Sequence, residues 1–385
     1  MSGPRIGLLT TSASRAAGGV FEAIVAHCET LRGLGFTPVI IALDQAEGGE
    51  DHRRLGDTEI VIVRRAAPRS IAYAPALVQA LLDARLDLLH LHGIWMYPSH
   101  AASSWAARTG KPYVISPHGM LDPWIVSRGK LKKSIAMLAY ERASWRRASC
   151  FHALTIDEAN DIRAITGRDD SEIIPNAVEL AGGEEHRAPR ALYLGRIHPK
   201  KNIGALIEGW RRARPVLQPL GARLEIAGWG AEEDVAQLRE QIAADDLGDI
   251  AFLGPQFGPE KTALIGAARF LALPSHSEGL PMAIIEAWAQ GTPTLMSRHC
   301  HLPEGYDAGA AMDCGTDPDE IAISLKEAFG QSQQEWQAMS QAASDLVRAR
   351  FTPAVVAQRW GQTYSRLLGI AEPQDADWRS SLVGA

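Results

Sequence analysis

The chain has 385 residues, 46% of them hydrophobic and 22% charged, which excludes the disordered and fibrous classes. Its formal net charge of -6 excludes a general nucleic-acid coat, because that needs a basic footprint. No apolar run reaches the roughly 18 residues of a membrane-spanning helix, and the first residues enter a strand without the pattern of a signal peptide. The four cysteines, Cys28, Cys150, Cys300 and Cys314, are scattered, so no disulfide scaffold is expected and a cytoplasmic location fits best.

In chain order, short and nearly continuous apolar runs predict buried strands at Ile6–Thr10, Pro38–Leu43, Ile60–Val63, Leu86–Leu91, Tyr113–Ser116 and Cys150–Leu154. Helical patterns lie between most of them, among them Val20–Leu34, Ala74–Arg85 and Lys130–Arg147. The alternation restarts with strands at Ala191–Leu194, Arg223–Ala227, Ile250–Leu253, Phe270–Leu273 and Thr292–Met296. Helices are predicted between these at Ile203–Arg214, Glu232–Ala243, Glu260–Ala268 and Met282–Gln290. Strand–helix alternation builds parallel sheets covered on both faces, so two such runs predict two doubly wound α/β domains. The polar stretch Glu179–Arg187 has linker composition and puts the boundary near residue 185. The expected domains are 1–185 and 186–350, with a closing helix and tail over 351–385. There Val355, Trp360, Tyr364, Leu367 and Leu368 form an apolar stripe. After about residue 318 the chain reads as all-helical, and Asp317 is placed to cap a helix from Pro318 to Phe329.

Ligands of open α/β sheets bind beyond the C-terminal ends of the strands, so the residues after each strand carry the functional signal. Gly18 and Gly19 precede a helix after the first strand, where glycines let backbone N–H groups approach an anion; a flexible turn is the alternative. The segment is neither Gly-x-Gly-x-x-Gly nor a P-loop, so a dinucleotide site is poorly supported. His118, beside Gly119 after Tyr113–Ser116, is placed either to hydrogen-bond a ligand hydroxyl or to satisfy its own loop. His90 and His92 share one face of a strand, which suits a structural role, though His92-Gly93 at the strand end could line the same cleft as His118. Arg196 and Lys201 flank a strand-to-helix loop that can close on a phosphate, one as a planar fork and the other as a mobile point charge. Glu278 and Glu286, separated by seven residues, fall on the loop and the helix that follow Phe270–Leu273. Glu286 lies among Ile284, Ile285, Ala287 and Trp288, where a carboxylate must be paired or hydrogen-bonded; ribose hydroxyls would satisfy it. The amides of Gly279, Leu280 and Met282, around Pro281, mark a helix N-terminus suited to phosphate. No metal is expected. Asp317-Pro318-Asp319 reads as a helix cap, and His299-Cys300-His301 with Cys314 lacks the paired spacing of a zinc site.

Taken together, these segments resemble the GT4 family of retaining glycosyltransferases, which have the GT-B fold of two Rossmann-like domains facing each other across a cleft. The resemblance covers most of the chain. It puts Gly18-Gly19 near the donor diphosphate, His118-Gly119 near the sugar and the reaction centre, and Arg196 and Lys201 at the diphosphate. It assigns Glu278 to the transferred sugar and Glu286 to the ribose, and Gly228 matches the family's Gly-x-Gly turn after a second-domain strand. The run His118–Trp124 is similar to that of bacterial polysaccharide-assembly members, while Pro175-Asn176-Ala177-Val178-Glu179 departs from the common Asn-Gly-Val-Asp. The resemblance implies a nucleoside-diphosphate sugar as donor, no cofactor, and a glycan or lipid-linked acceptor in cell-surface polysaccharide biosynthesis. It further implies front-face transfer with retention, donor binding by the second domain, acceptor binding by the first, and a last helix that crosses back to the first. Cleft closure would assemble His118 with Arg196, Lys201 and Glu278.

Arg128, Lys130, Lys132 and Lys133 precede Ile135, Met137, Leu138 and Tyr140, and Trp145, Arg146 and Arg147 follow. This reads as a basic amphipathic helix over 128–147, suited to peripheral contact with the inner face of the cell membrane, or else as a solvated face. The alternative functions are a catalytically silent sugar-nucleotide sensor and an NAD-dependent oxidoreductase, the latter without its fingerprint.

Overall fold

The computed structural model describes residues 3–14, 18–43, 54–182, 187–244 and 247–372. By contacts the chain divides into two units, one of Met1–Asn176 with Pro353–Ala385 and one of Ala177–Thr352. The first holds a seven-stranded sheet of β1 (Arg5–Thr10), β2 (Thr37–Leu43), β3 (Glu59–Val63), β4 (Leu88–His92), β5 (Tyr113–Ser116), β6 (Cys150–Ala153) and β7 (Ser171–Ile173). Their order is β3-β2-β1-β4-β5-β6-β7, and every pairing is parallel. The second holds a six-stranded parallel sheet of β8 (Arg190–Leu194), β9 (Arg223–Ala227), β10 (Ile250–Gly254), β11 (Phe270–Leu273), β12 (Thr294–Met296) and β13 (Ala311–Asp313). Its order is β10-β9-β8-β11-β12-β13. Strands β4, β5, β6, β11 and β12 are buried along their whole length, which is why they read as nearly continuous apolar runs.

In both sheets the order reverses beside the first strand, between β1 and β4 and between β8 and β11. Such switch points open a crevice past the strand ends, where ligands of doubly wound sheets bind. The loops after β1, β8 and β11 are those that carry Gly18-Gly19, Arg196 and Glu278.

Sequence and structure part at the edges. The short strands β7 and β13 and the helices Tyr97–Thr109 and Ile156–Thr166 stand where no element was specified, whereas Gln333–Arg350 lies in the stretch after about residue 318 expected to be all-helical. The three residues of β7 are half-exposed and only one of them is aliphatic, so no buried-strand pattern marks it. The boundary expected near 185 falls at 183–186, outside the described residues, whereas the contact division lies at Asn176/Ala177. The reason is local bonding: Val178 N–H donates to Phe351 O at 2.8 Å and Ala181 N–H to Ala289 O at 3.1 Å, which ties this stretch to the second unit. Asp317 caps Pro318–Gly330 in a full capping box with Glu320.

The helix Pro353–Leu368 belongs to the first unit. It is held there by polar contacts as well as packing. Tyr364 Oη lies 2.7 Å from both His27 Nε2 and His90 Nδ1, Arg359 donates to Ile173 O, and Arg366 pairs with Glu172. No helix among the described residues is long and apolar enough to cross a membrane.

Candidate active site

In the second unit the loops after β8 and β9 are stitched to each other and to the end of β10. Gly195 N–H donates to Ala227 O, Ile197 N–H to Trp229 O at 2.7 Å, and Gly228 N–H to Gly254 O at 2.8 Å. The close approach demands glycine: a Cβ on Gly228 would sit 1.8 Å from Gly195 O, and one on Gly230 would sit 2.3 Å from Ile197 O. The Gly-Trp-Gly turn therefore sets the backbone beneath Arg196, and Tyr193 Oη adds a bond to Arg196 O at 2.8 Å. The Arg196 side chain is exposed and has no partner among the described residues.

Lys201 closes the short turn Pro199–Lys201. Its ammonium donates to both oxygens of Glu278, at 2.5 and 2.7 Å, and Ser275 Oγ donates to the same carboxylate at 2.6 Å. The Glu278 side chain is only 9% exposed and that of Lys201 21%, so the pair is largely desolvated. Two backbone bonds fix the geometry: His276 N–H to Lys200 O and Glu278 N–H to His299 O. Asn202, in the left-handed region at φ 59°, spans Pro274 O and Thr316 O with its amide.

Glu286 meets a different lysine. Lys261, from the helix Gly258–Ala267, donates to Glu286 Oε1 at 2.7 Å. The two carboxylates that the sequence couples by spacing are thus each neutralised by their own cation. Lys261 was missed because helix-to-helix packing, not sequence spacing, brings it there. Gly279 and Leu280 lead to Pro281, the N-cap of Met282–Ala289, which supplies no side-chain acceptor to the first turn.

In the first unit Gly18, at φ 60°, is the N-cap of Gly19–Gly33, again without a side-chain cap. A positive φ is the reason for glycine there; Arg15–Ala17 of the same loop lie outside the described residues. His118 and Gly119 both adopt positive φ, 53° and 75°. Two groups hold this strained turn. The buried Glu158 carboxylate accepts from Gly119 N–H at 2.6 Å and from Leu154 N–H at 2.8 Å, and His92 Nδ1 lies 2.9 Å from His118 Nε2. Glu158 carried no sequence signal beyond its place in a helix first turn.

His118 is one of five histidines gathered inside the unit, with His27, His90, His92 and His152. Their protons can be assigned by following the bonds. His152 Nε2 lies 2.8 Å from Ile174 O, and a carbonyl only accepts, so the proton is on Nε2 and Nδ1 is bare. Ser116 Oγ, 2.6 Å away, donates to that Nδ1 and accepts from His90 Nε2. His90 Nδ1 then accepts from Tyr364, which in turn accepts from His27 Nε2. Each link holds one proton only if every ring is neutral. Burial pushes all five pKa values down: His27 and His118 to about 3, His152 to about 4, and His90 and His92 well below the usual 6.5, with neighbouring imidazoles adding to it for all but His152, where the bond to Ile174 O opposes it. His92 Nε2 is buried with no partner. A bare lone pair is tolerated there better than an orphaned N–H, so His92 donates through Nδ1 and His118 carries its own proton on Nδ1.

Among the described residues no three His, Cys, Asp or Glu side chains converge as a metal-ligand set. Cys300 and Cys314 are buried free thiols that donate to Leu273 O and Gly315 O.

Residues 18–177 match the glycosyl transferase 4-like domain, and residues 188–330 match glycosyl transferases group 1. The two stretches together cover well over half of the chain. The chain belongs to the GT4 family of glycosyltransferases. An O-antigen chain mannosyltransferase B of Escherichia coli is 34% identical over 142 residues, 35% of either protein. The amylovoran biosynthesis glycosyltransferase AmsK of Erwinia amylovora is 34% identical over 128 residues, 31% of this chain and 30% of AmsK. The chain thus spans about a third of the length of these curated relatives. HepE of Anabaena, solved with UDP and glucose, superposes with a TM-score of 0.74 at 16% identity, covering 94% of this chain and all of HepE. Sucrose-phosphate synthase of Thermosynechococcus elongatus gives 0.74 at 17% identity, covering 95% of this chain and 99% of the synthase. The fold of this GT4 member is GT-B: two doubly wound Rossmann-like halves.

Proposed function

We propose that this GT4 member is a retaining glycosyltransferase. It would move a sugar from a nucleoside-diphosphate sugar to a glycan or lipid-linked acceptor in cell-surface polysaccharide biosynthesis, on the cytoplasmic side of the membrane. The observation that carries this reading is the Lys201–Glu278–Ser275 cluster beside the Arg196 loop at the switch point of the second sheet. HepE, bound to UDP and glucose, supports the donor class, and the O-antigen and amylovoran enzymes support the pathway class.

The chemistry follows from charge. As the C1–O bond to the diphosphate breaks, negative charge grows on the leaving phosphate. Arg196 and Lys201 take that charge, together with the first-turn amides after Pro281, so the reaction needs no metal ion. Glu278 holds the Lys201 ammonium in place and accepts from a hydroxyl of the sugar, and Glu286 accepts from the ribose. His118, neutral, offers its Nδ1–H to a sugar hydroxyl and is a donor rather than a base. The acceptor O–H proton passes to a leaving phosphate oxygen, and the new C1–O bond forms on the face the phosphate leaves.

A thermal-shift panel of UDP, GDP, ADP and NAD, each with and without EDTA, tests the donor half. A ligand at about 100 times its dissociation constant adds roughly 2.7 kcal/mol. One nucleoside diphosphate is expected to raise Tm equally with EDTA; stabilisation by NAD alone, or only with free divalent metal, would contradict the reading.

A further inference from the structure

The basic segment of the first unit differs in structure from a single amphipathic helix. Lys130–Ala136 runs into a π turn over Met137–Glu141 and then into Arg142–Arg147. The extra residue of the π turn rotates Glu141 inward, where its carboxylate accepts from Trp95 N–H and Ser99 Oγ. Tyr140 also turns inward, donating to Trp95 O at 3.0 Å, so it is not part of the outer apolar face that the sequence suggested.

What remains outside is a narrow stripe. Leu131 is 76% exposed, Ile135 60% and Leu138 74%, at i, i+4 and i+7 of one helix face. Three large aliphatic side chains in one row, each more than half exposed, are costly in water. Exposed Lys132, Arg142 and Arg146 accompany the stripe. Residues 128–147 hold seven Lys or Arg and a single acid, Glu141, which is fully buried, whereas the whole chain carries -6. The segment is therefore cationic and contributes no exposed carboxylate of its own, on a protein that is net acidic.

We propose that this face docks on an anionic phospholipid bilayer, with Leu131, Ile135 and Leu138 entering the headgroup–acyl boundary and the flanking cations meeting lipid phosphates. The charge pattern selects the occupant. A second copy packing through the same face would set cation against cation, whereas an anionic lipid surface answers both the charge and the aliphatic row. The inference stands apart from the transfer chemistry, and its test uses no sugar nucleotide.

Co-sedimentation of the full chain with vesicles of anionic phosphatidylglycerol mixed with phosphatidylethanolamine, against pure phosphatidylcholine, reads the binding directly. The expected result is partitioning onto the anionic vesicles only, weakened by added salt. Replacing Lys132, Arg142 and Arg146 together by Glu is expected to weaken it at least about 100-fold. A separate Leu131→Ser, Ile135→Ser, Leu138→Ser variant, whose charges are intact, is expected to lose about 100-fold through the apolar contribution alone. Unchanged Tm in both variants establishes that the fold survives. The proposal is overturned if the wild-type chain stays in the supernatant with anionic vesicles, or if either folded variant binds as wild type does. Self-association that the Ser variant abolishes, with no vesicle binding, would overturn it in favour of a dimer interface.

Discussion

Arg196→Ala is expected to lower transfer by about 100-fold, consistent with roughly 1.5–3 kcal/mol for a charged hydrogen bond to the leaving diphosphate. Its Tm is expected to stay at the wild-type value. The separation follows from the structure: the guanidinium is exposed and has no partner among the described residues, so folding loses almost nothing with it. Lys201→Ala must behave differently. It removes the ammonium from a Glu278 carboxylate whose side chain is 9% exposed and leaves Ser275 as its remaining donor. That variant loses both activity and stability, the latter toward the lower end of the roughly 3–5 kcal/mol for breaking a buried pair. Steady-state rates and melting curves on the two variants check the contrast. Normal turnover by folded Arg196→Ala would remove the guanidinium from the mechanism.

Acid is expected to unfold the first unit well above the usual carboxylate range. Four of its histidines, His27, His90, His92 and His152, are at most 7% exposed and neutral, with pKa values depressed chiefly by burial. In the unfolded chain each titrates near 6.5. Below that pH the unfolded state binds more protons than the native one, so stability is complete above about pH 6.5 and falls with pH until the native rings titrate, at about 3 for His27 and about 4 for His152. At pH 5 the loss is about 2 kcal/mol for each ring. Glu141 runs the other way: burial raises its carboxyl to about 7, so the native state gains about 2–3 kcal/mol on the same acidification. Glu158, also raised, adds to that offset. The net loss of about 5 kcal/mol is comparable with the whole stability of a domain. Calorimetric unfolding near pH 5.5 in buffers of different ionisation enthalpy is expected to show uptake of about three protons. No uptake would mean that the rings are already charged in the native state and that the proton assignment is wrong.

The architecture was legible in the sequence because strands buried on both faces are short, nearly continuous apolar runs, and those of β5 and β11 coincide with the elements found. Arg196, Lys201, Glu278 and His118 were legible because they directly follow such strands. What the sequence could not show is partnership across the fold. Lys261 reaches Glu286 from another helix, Glu158 reaches the amide of Gly119 across 39 residues, and Tyr364 reaches His27 and His90 from the far end of the chain. His90 and His92 were read as structural from their shared strand face, and His90 does serve the Tyr364–Ser116 network. His92, whose strand-end place also allowed it to line the His118 cleft, lies 2.9 Å from His118, a pairing that alternation along a strand does not specify.

Hydrolysis of a panel of nucleoside-diphosphate sugars in EDTA, followed by NMR at the anomeric carbon, tests the central claim most directly. Slow release of free sugar from one donor is expected, first appearing in the donor's own anomeric configuration and lost in Arg196→Ala. An inverted first product, release that requires added Mn²⁺, or tight donor binding with no release at all would contradict it, the last in favour of a sugar-nucleotide sensor.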